Sequence, residues 1–296
     1  MTSNIKNHKL INDLIEIVFK YALVKKKLDK KSILSKMESQ LNGENKKALY
    51  LAYDSLIEEL RKVGDDHSKI RKPDYVKKWK SKTASVPAPE FEIVKKICVI
   101  NVPQFIGIDE DRSKEYASKI QDIIRKNYST TLGWIIDLRG NSGGNMEPMV
   151  AGVGPLYNSA IVGYFKASSG KLSSWGYKKG HYMYNNTKEW KVPNYVSVKR
   201  HLPIAVILNE KVVSSAEMLA ISFIGNANTR SFGSPTRGKT TANASIELDD
   251  GSILFLATTS TLSRDKKEFV GKITPDVLTK DPIDDAIKWI TSYSPK

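Results

Sequence analysis

Hydrophobic side chains recur at three- and four-residue steps through residues 10–23, where Leu10, Ile11, Leu14, Ile15, Val18 and Ala22 share one face and charged residues fill the other. That period marks an amphipathic helix. It returns over residues 44–62 with Ala48, Leu49, Ala52, Leu56, Ile57 and Leu60, introduced by Asn42-Gly43 and closed by Gly64, a residue that tolerates the left-handed turn ending a helix. Residues 1–72 are therefore expected to form a small helical unit. Residues 73–90, with Pro73, Pro87 and Pro89, show neither helical nor alternating periodicity and read as a connection. Over residues 91–296 the pattern changes: apolar, β-branched runs at 97–102, 134–138, 204–208 and 253–257 alternate with helical patterns at 112–126 and 217–224. Such alternation predicts α/β layering around a central sheet. Asp281 followed by Pro282 predicts a last helix running to Ile290.

Composition narrows the class. With 296 residues, 40% of them hydrophobic and 27% charged, the chain can close a large core, and disordered or fibrous classes are excluded. A single cysteine, Cys98, rules out an internal disulfide and reads as a small buried hydrophobe. Four histidines and that cysteine show no metal-ligand spacing, so neither a zinc site nor any other cofactor is expected. Asp13, Glu16 and Lys20 interrupt the apolar positions of the first thirty residues, which argues against a secretory signal or membrane span. The expected location is cytoplasmic if Met1 is the native start, and extracytoplasmic if an upstream segment has been removed.

The net charge is +15, of which +8 lies in residues 1–80. The lysine runs at 25–27, 30–31 and 77–80 read as solvated helix faces and form no readable nucleic-acid motif, so no nucleic-acid partner is expected.

Two segments carry candidate chemistry. Residues 133–145 are an apolar strand running into the turn DLRGNSGGN. Glycines there permit positive φ and let consecutive backbone N–H groups face a negative charge, although an ordinary strand-to-helix turn would look similar. A Walker lysine and dinucleotide spacing are both missing, so nucleotide binding fits poorly. Residues 204–218 form a second strand, turn and helix, leaving Ser214 at the helix N-terminus. Helix capping is the common role for such a serine, and it is compatible with nucleophilic chemistry at the same orphan amides.

In this order, followed by residues 230–239, the LDDGS run at 248–252 and GKITPD at 271–276, these motifs resemble the C-terminal processing, or tail-specific, serine protease family. The resemblance spans residues 95–280 and implies a ClpP/crotonase-like core in residues 91–296. The SSAEM form at 214–218 and the DDHS element at 65–68 are most similar to the nisin resistance branch, with a more distant likeness to tricorn proteases. Carried over motif by motif, the resemblance implies Ser214 as nucleophile, with oxyanion donors from the Ser215 amide and the Gly143-Gly144 turn. It implies a serine endopeptidase that cleaves peptides or unstructured protein segments through an acyl-enzyme.

Two residues compete to be its base. Lys239 matches the lysine of the family's Ser-Lys branch, but must be brought from a pKa of about 10.4 to near 7, which costs roughly 4–5 kcal/mol. At the place where that branch carries an acid, this chain reads Gly225-Asn226-Ala227-Asn228. His67, in the DDHS element, titrates near neutrality without tuning, and the smaller cost favours it. A carboxylate from Asp66, Glu268 or Asp276 is expected to orient the imidazole. His8, His181 and His201 match no motif. The alternatives are a Ser214-Lys239 dyad protease and a non-catalytic relative that only binds peptide.

Overall fold

The apolar stripes fold as their spacing requires. In this computed structural model, which describes residues 3–41, 46–81, 85–199 and 201–294, helices α1 (Ser3–Tyr21), α2 (Lys30–Ser39) and α3 (Lys46–Lys62) bury both predicted faces. The Asn42-Gly43 pair lies outside the described residues. Helix α2 has no counterpart in the sequence reading. It starts where the carboxylate of Asp29 accepts the Ser32 N–H, and only Ile33 and Met37 are buried. Gly64 closes α3 at φ +98°.

Strand β1 (Lys69–Arg71) follows, then helix α4 (Pro73–Lys80) in the stretch read as a connection. Eight residues with Val76 as the one buried side chain are too few to set up a readable period. Tyr75 and Trp79 instead present their rings edge-on to Phe255.

Strands β2 (Glu90–Val94), β3 (Ile97–Asn101) and β4 (Trp134–Asp137) come next, with α5 (Glu110–Asn127) between the last two and α6 (Met146–Val153) after them. An antiparallel meander β5 (Ile161–Ala167), β6 (Leu172–Lys178), β7 (His181–Tyr184) and β8 (Thr187–Lys191) leads to β9 (Ile204–Leu208), α7 (Ser215–Phe223) and β10 (Thr229–Gly233). The chain ends with β11 (Thr241–Glu247), β12 (Ile253–Ser263), β13 (Glu268–Phe269), β14 (Val277–Leu278) and α8 (Pro282–Thr291).

Two units result. Unit 1 comprises residues Met1–Trp79, Lys166–Lys171 and Thr241–Ser260; unit 2 comprises Lys80–Phe165, Leu172–Thr240 and Thr261–Lys296. In unit 1, β12 pairs antiparallel with β1 and with β11, and Leu254 and Leu256 join the helical stripes in one core. Unit 2 holds the sheet β14-β10-β9-β4-β3-β2, parallel except for β2. The central strands β3, β4 and β9 read as continuous apolar runs because both faces are covered. Trp134, Ile136, Val206 and Leu208 pack with residues of α5, α6 and α7, whereas Ile135, Ala205 and Ile207 pack with those of α8. Cys98 is fully buried, and burial pushes its thiol up to about 12. Among the described residues no helix is long and apolar enough to cross a membrane.

Candidate functional site

Strands β4 and β9 are parallel neighbours with Trp134 opposite Ile204 and Asp137 opposite Ile207, so the turns leaving their C-terminal ends emerge side by side. In open α/β sheets this is the edge at which binding chemistry is built. The Asp137 carboxylate accepts from the Arg139 N–H and Nε at 3.0 Å and from Nη2 at 2.7 Å, fixing the entry to the glycine turn. Asn141, 1% exposed, then ties three segments together. Its Nδ2 donates to the Val102 carbonyl at 2.8 Å, its Oδ1 accepts the Gly143 N–H at 2.9 Å, and its carbonyl accepts the Val213 N–H at 3.2 Å.

Gly143 and Gly144 take φ of +94° and +109°. A Cβ on Gly143 would stand 3.0 Å from the Ser215 nitrogen and 3.1 Å from the Ser214 Cβ; one on Gly144 would stand 2.0 Å from the Phe105 carbonyl oxygen. The two expected halves of the site are therefore in contact, and the contact requires glycine. Gly144→Ala is expected to cost about 3 kcal/mol from backbone overlap added to left-handed strain. Gly140→Ala, at φ +82° with nothing within 4 Å, should cost about 1 kcal/mol by strain alone. Thermal denaturation of the two variants checks the difference.

Ser214 is partly exposed and precedes α7 as its N-cap, yet its backbone lies at φ +57°, ψ −119°. An ordinary N-cap residue sits in the β region. A β-carbon held at positive φ costs of order 1–3 kcal/mol, which capping alone does not explain. Ser215, the first residue of α7, donates its hydroxyl to the Gly144 carbonyl at 2.6 Å, a second tie between the turns.

Glu217 organises the other side of the serine turn. Fully buried, its Oε2 accepts the N–H groups of Ser214 and Lys239, both at 2.8 Å, while Oε1 accepts from the Gly238 N–H at 2.7 Å and the Thr236 hydroxyl at 2.5 Å. Burial nevertheless raises its pKa, the four hydrogen bonds acting in the opposite direction. The main chain of Lys239 is thus brought to that of Ser214 through one carboxylate. Sequence reasoning gave Glu217 no role of its own, although the serine-x-x-glutamate spacing of a capping box was the available signal.

His67 belongs to unit 1 and is 6% exposed. Asp65 shapes the turn that carries it: Oδ1 accepts the N–H groups of His67 at 3.1 Å and Ser68 at 2.9 Å, and Oδ2 accepts the Ser68 hydroxyl at 2.5 Å. The same hydroxyl oxygen accepts the Ala257 N–H of β12 at 2.8 Å, and Asn243 Nδ2 donates to the His67 carbonyl at 3.3 Å. The ring nitrogen Nδ1 lies 2.8 Å from Thr241 Oγ1.

Where a carboxylate was expected, Nδ1 thus meets a hydroxyl. Asp66 is exposed, and Asp276 spends its Oδ2 on the N–H and hydroxyl of Ser231, both at 2.7 Å. Glu268, exposed on β13, lines with Asp276 a cavity of about 440 Å³ floored by Val206, Leu208, Phe223 and Ile273. No sequence signal pointed to Thr241, which lies 174 positions from His67.

The family model for peptidase family S41 matches residues 96–279. A nisin-resistance protein from Lactococcus lactis subsp. lactis is 31% identical over 240 residues, covering 80% of this chain and 73% of the relative. The carboxy-terminal processing protease CtpA of Bacillus subtilis is 29% identical over 163 residues, covering 55% of this chain and 31% of that protein. Among solved structures, a lipoprotein from Streptococcus agalactiae has a TM-score of 0.81 at 25% identity, covering 97% of this chain and 96% of that one.

Proposed function

The chain belongs to peptidase family S41, as a serine peptidase of the C-terminal processing type, and we propose that it cleaves peptides or unstructured protein segments with Ser214 as nucleophile and His67 as general base. The observation that carries this reading is the strained positive-φ turn at Ser214, held beside Gly143 with the Ser215 amide at the same place. A nucleophile set on such a turn presents its hydroxyl clear of its own helix, next to that helix's unpaired amides.

In the proposed reaction, Ser214 Oγ attacks the scissile carbonyl carbon as its proton passes to His67 Nε2. The carbonyl oxygen gains the negative charge and is held by N–H groups of Ser215 and Gly144. Gly144 is preferred over Gly143 because the Gly143 N–H already donates to Asn141. Collapse of the tetrahedral intermediate breaks the C–N bond, and the imidazolium returns its proton to the departing amine. Water, deprotonated in turn by His67, hydrolyses the acyl-enzyme and restores Ser214.

The shared Glu217 anchor of the Ser214 and Lys239 backbones favours a second reading, in which Lys239 is the base. Single-turnover acylation separates the two. The histidine mechanism expects a loss of roughly 10³-fold or more in His67→Ala and a change of less than about tenfold in Lys239→Ala. The reverse pattern assigns the base to Lys239. Failure of a fluorophosphonate to label the wild type above Ser214→Ala would favour a peptide binder.

A further inference from the structure

We propose that Thr241 is a positioning residue for His67, its hydroxyl accepting the Nδ1–H so that Nε2 is the nitrogen left to take a proton. The proposal rests on the reading of His67 as base. It starts from the 2.8 Å separation of His67 Nδ1 and Thr241 Oγ1, in a seat where the imidazole is 6% exposed.

Three further observations show that this seat is built. Strand β12 carries an extra residue, Thr258, where Ala242 pairs with Thr259 and Asn243 with Ala257, and such a bulge bends the strand locally. On either side of the irregularity, Thr241 meets the His67 ring and Asn243 meets the His67 carbonyl at 3.3 Å. Asp65, two residues before the histidine, uses its carboxylate on the backbone of His67 and the backbone and hydroxyl of Ser68. The ring is thus held by a neutral oxygen and the main chain by an amide and a carboxylate.

The tautomer follows from what a base must do. A neutral imidazole carries one N–H; if Nε2 is to accept the serine proton, the hydrogen must sit on Nδ1, and a group there must accept it. Thr241 Oγ1 can do so with a lone pair and still donate its own hydrogen elsewhere. Unlike a carboxylate, the hydroxyl carries no negative charge, and its part is to select orientation and tautomer. Nothing is transferred to the threonine during the reaction.

The test combines kinetics with the ¹⁵N resonances of the His67 ring in the full chain. In the wild type above neutral pH, the spectrum is expected to show the proton on Nδ1; a resting ring protonated on Nε2 overturns the proposal without any mutation. Thr241→Val, similar in shape but without the hydroxyl, is expected to lower kcat/KM about tenfold or more and to redistribute the ring proton between the two nitrogens. Thr241→Ser should keep the wild-type tautomer and stay within about threefold in rate.

A valine variant with wild-type rate and ring shifts would overturn the role of Thr241 while leaving His67 as base, provided His67→Ala still abolishes acylation. Unimpaired acylation in His67→Ala would instead remove the reading on which the proposal rests. Loss of folded protein in the valine variant leaves the wild-type spectrum and the serine variant to decide.

Discussion

Ser214→Ala is expected to abolish fluorophosphonate labelling and to lower kcat/KM by roughly 10⁵–10⁶-fold, the scale seen when a serine hydrolase loses its nucleophile. Ser214→Gly should do the same to activity but move stability the other way. At φ +57° the side chain is strained, and glycine relieves that strain, so the folded state should gain about 1 kcal/mol. If Ser214 merely capped α7, glycine would change stability by only a few tenths of a kcal/mol and alanine would cost about 1 kcal/mol. Calorimetry of both variants, with labelling of the wild type, therefore tests the nucleophile assignment twice. A glycine variant no more stable than the wild type would remove the strain argument.

The second large effect is expected at Glu217. Replacing it with alanine leaves the N–H groups of Ser214, Gly238 and Lys239 and the Thr236 hydroxyl without their acceptor around a buried space, which should cost about 3–5 kcal/mol and lower the thermal midpoint by about 10 °C. Glutamine matches the volume but not the chemistry. Each oxygen of Glu217 accepts two hydrogens, so either orientation of the amide points its NH₂ at two donors. Glu217→Gln should consequently be nearly as unstable as the alanine variant, and a near-wild-type glutamine variant would refute the network. Acylation should fall as well, because the same carboxylate sets the backbone of Ser214.

Glu217 also carries a pH signature. Burial raises its pKa and the four hydrogen bonds lower it, the net folded value standing above the unfolded one. Stability conferred by this group is full below the unfolded pKa and declines as pH rises through the folded one. Burial raises Glu147 in the same direction, so the difference between wild-type and Glu217→Gln stability curves isolates the contribution of residue 217.

Local periodicity made α1, α3, α8 and the buried strands of the parallel sheet readable, since an apolar stripe or run announces a face that must be covered. Helices α2 and α4 bury two side chains and one, too few to announce anything. The glycine turn and the serine turn were legible as motifs, and the β4–β9 register supplies what a motif cannot, their adjacency. Asn141 and Glu217 lie inside those motifs, but their task is to bind the backbone of other segments, which no residue type reveals alone. Thr241 was out of reach because its relation to His67 depends on β11 joining the N-terminal helices in one unit.

That joining has a consequence during synthesis. A ribosome that has delivered residues 1–79 has released helices whose stripe still lacks Leu254 and Leu256. The candidate proton acceptor gains its hydroxyl neighbour only after the nucleophile has already been translated. Truncation anywhere before residue 241 therefore removes the hydroxyl that His67 Nδ1 meets.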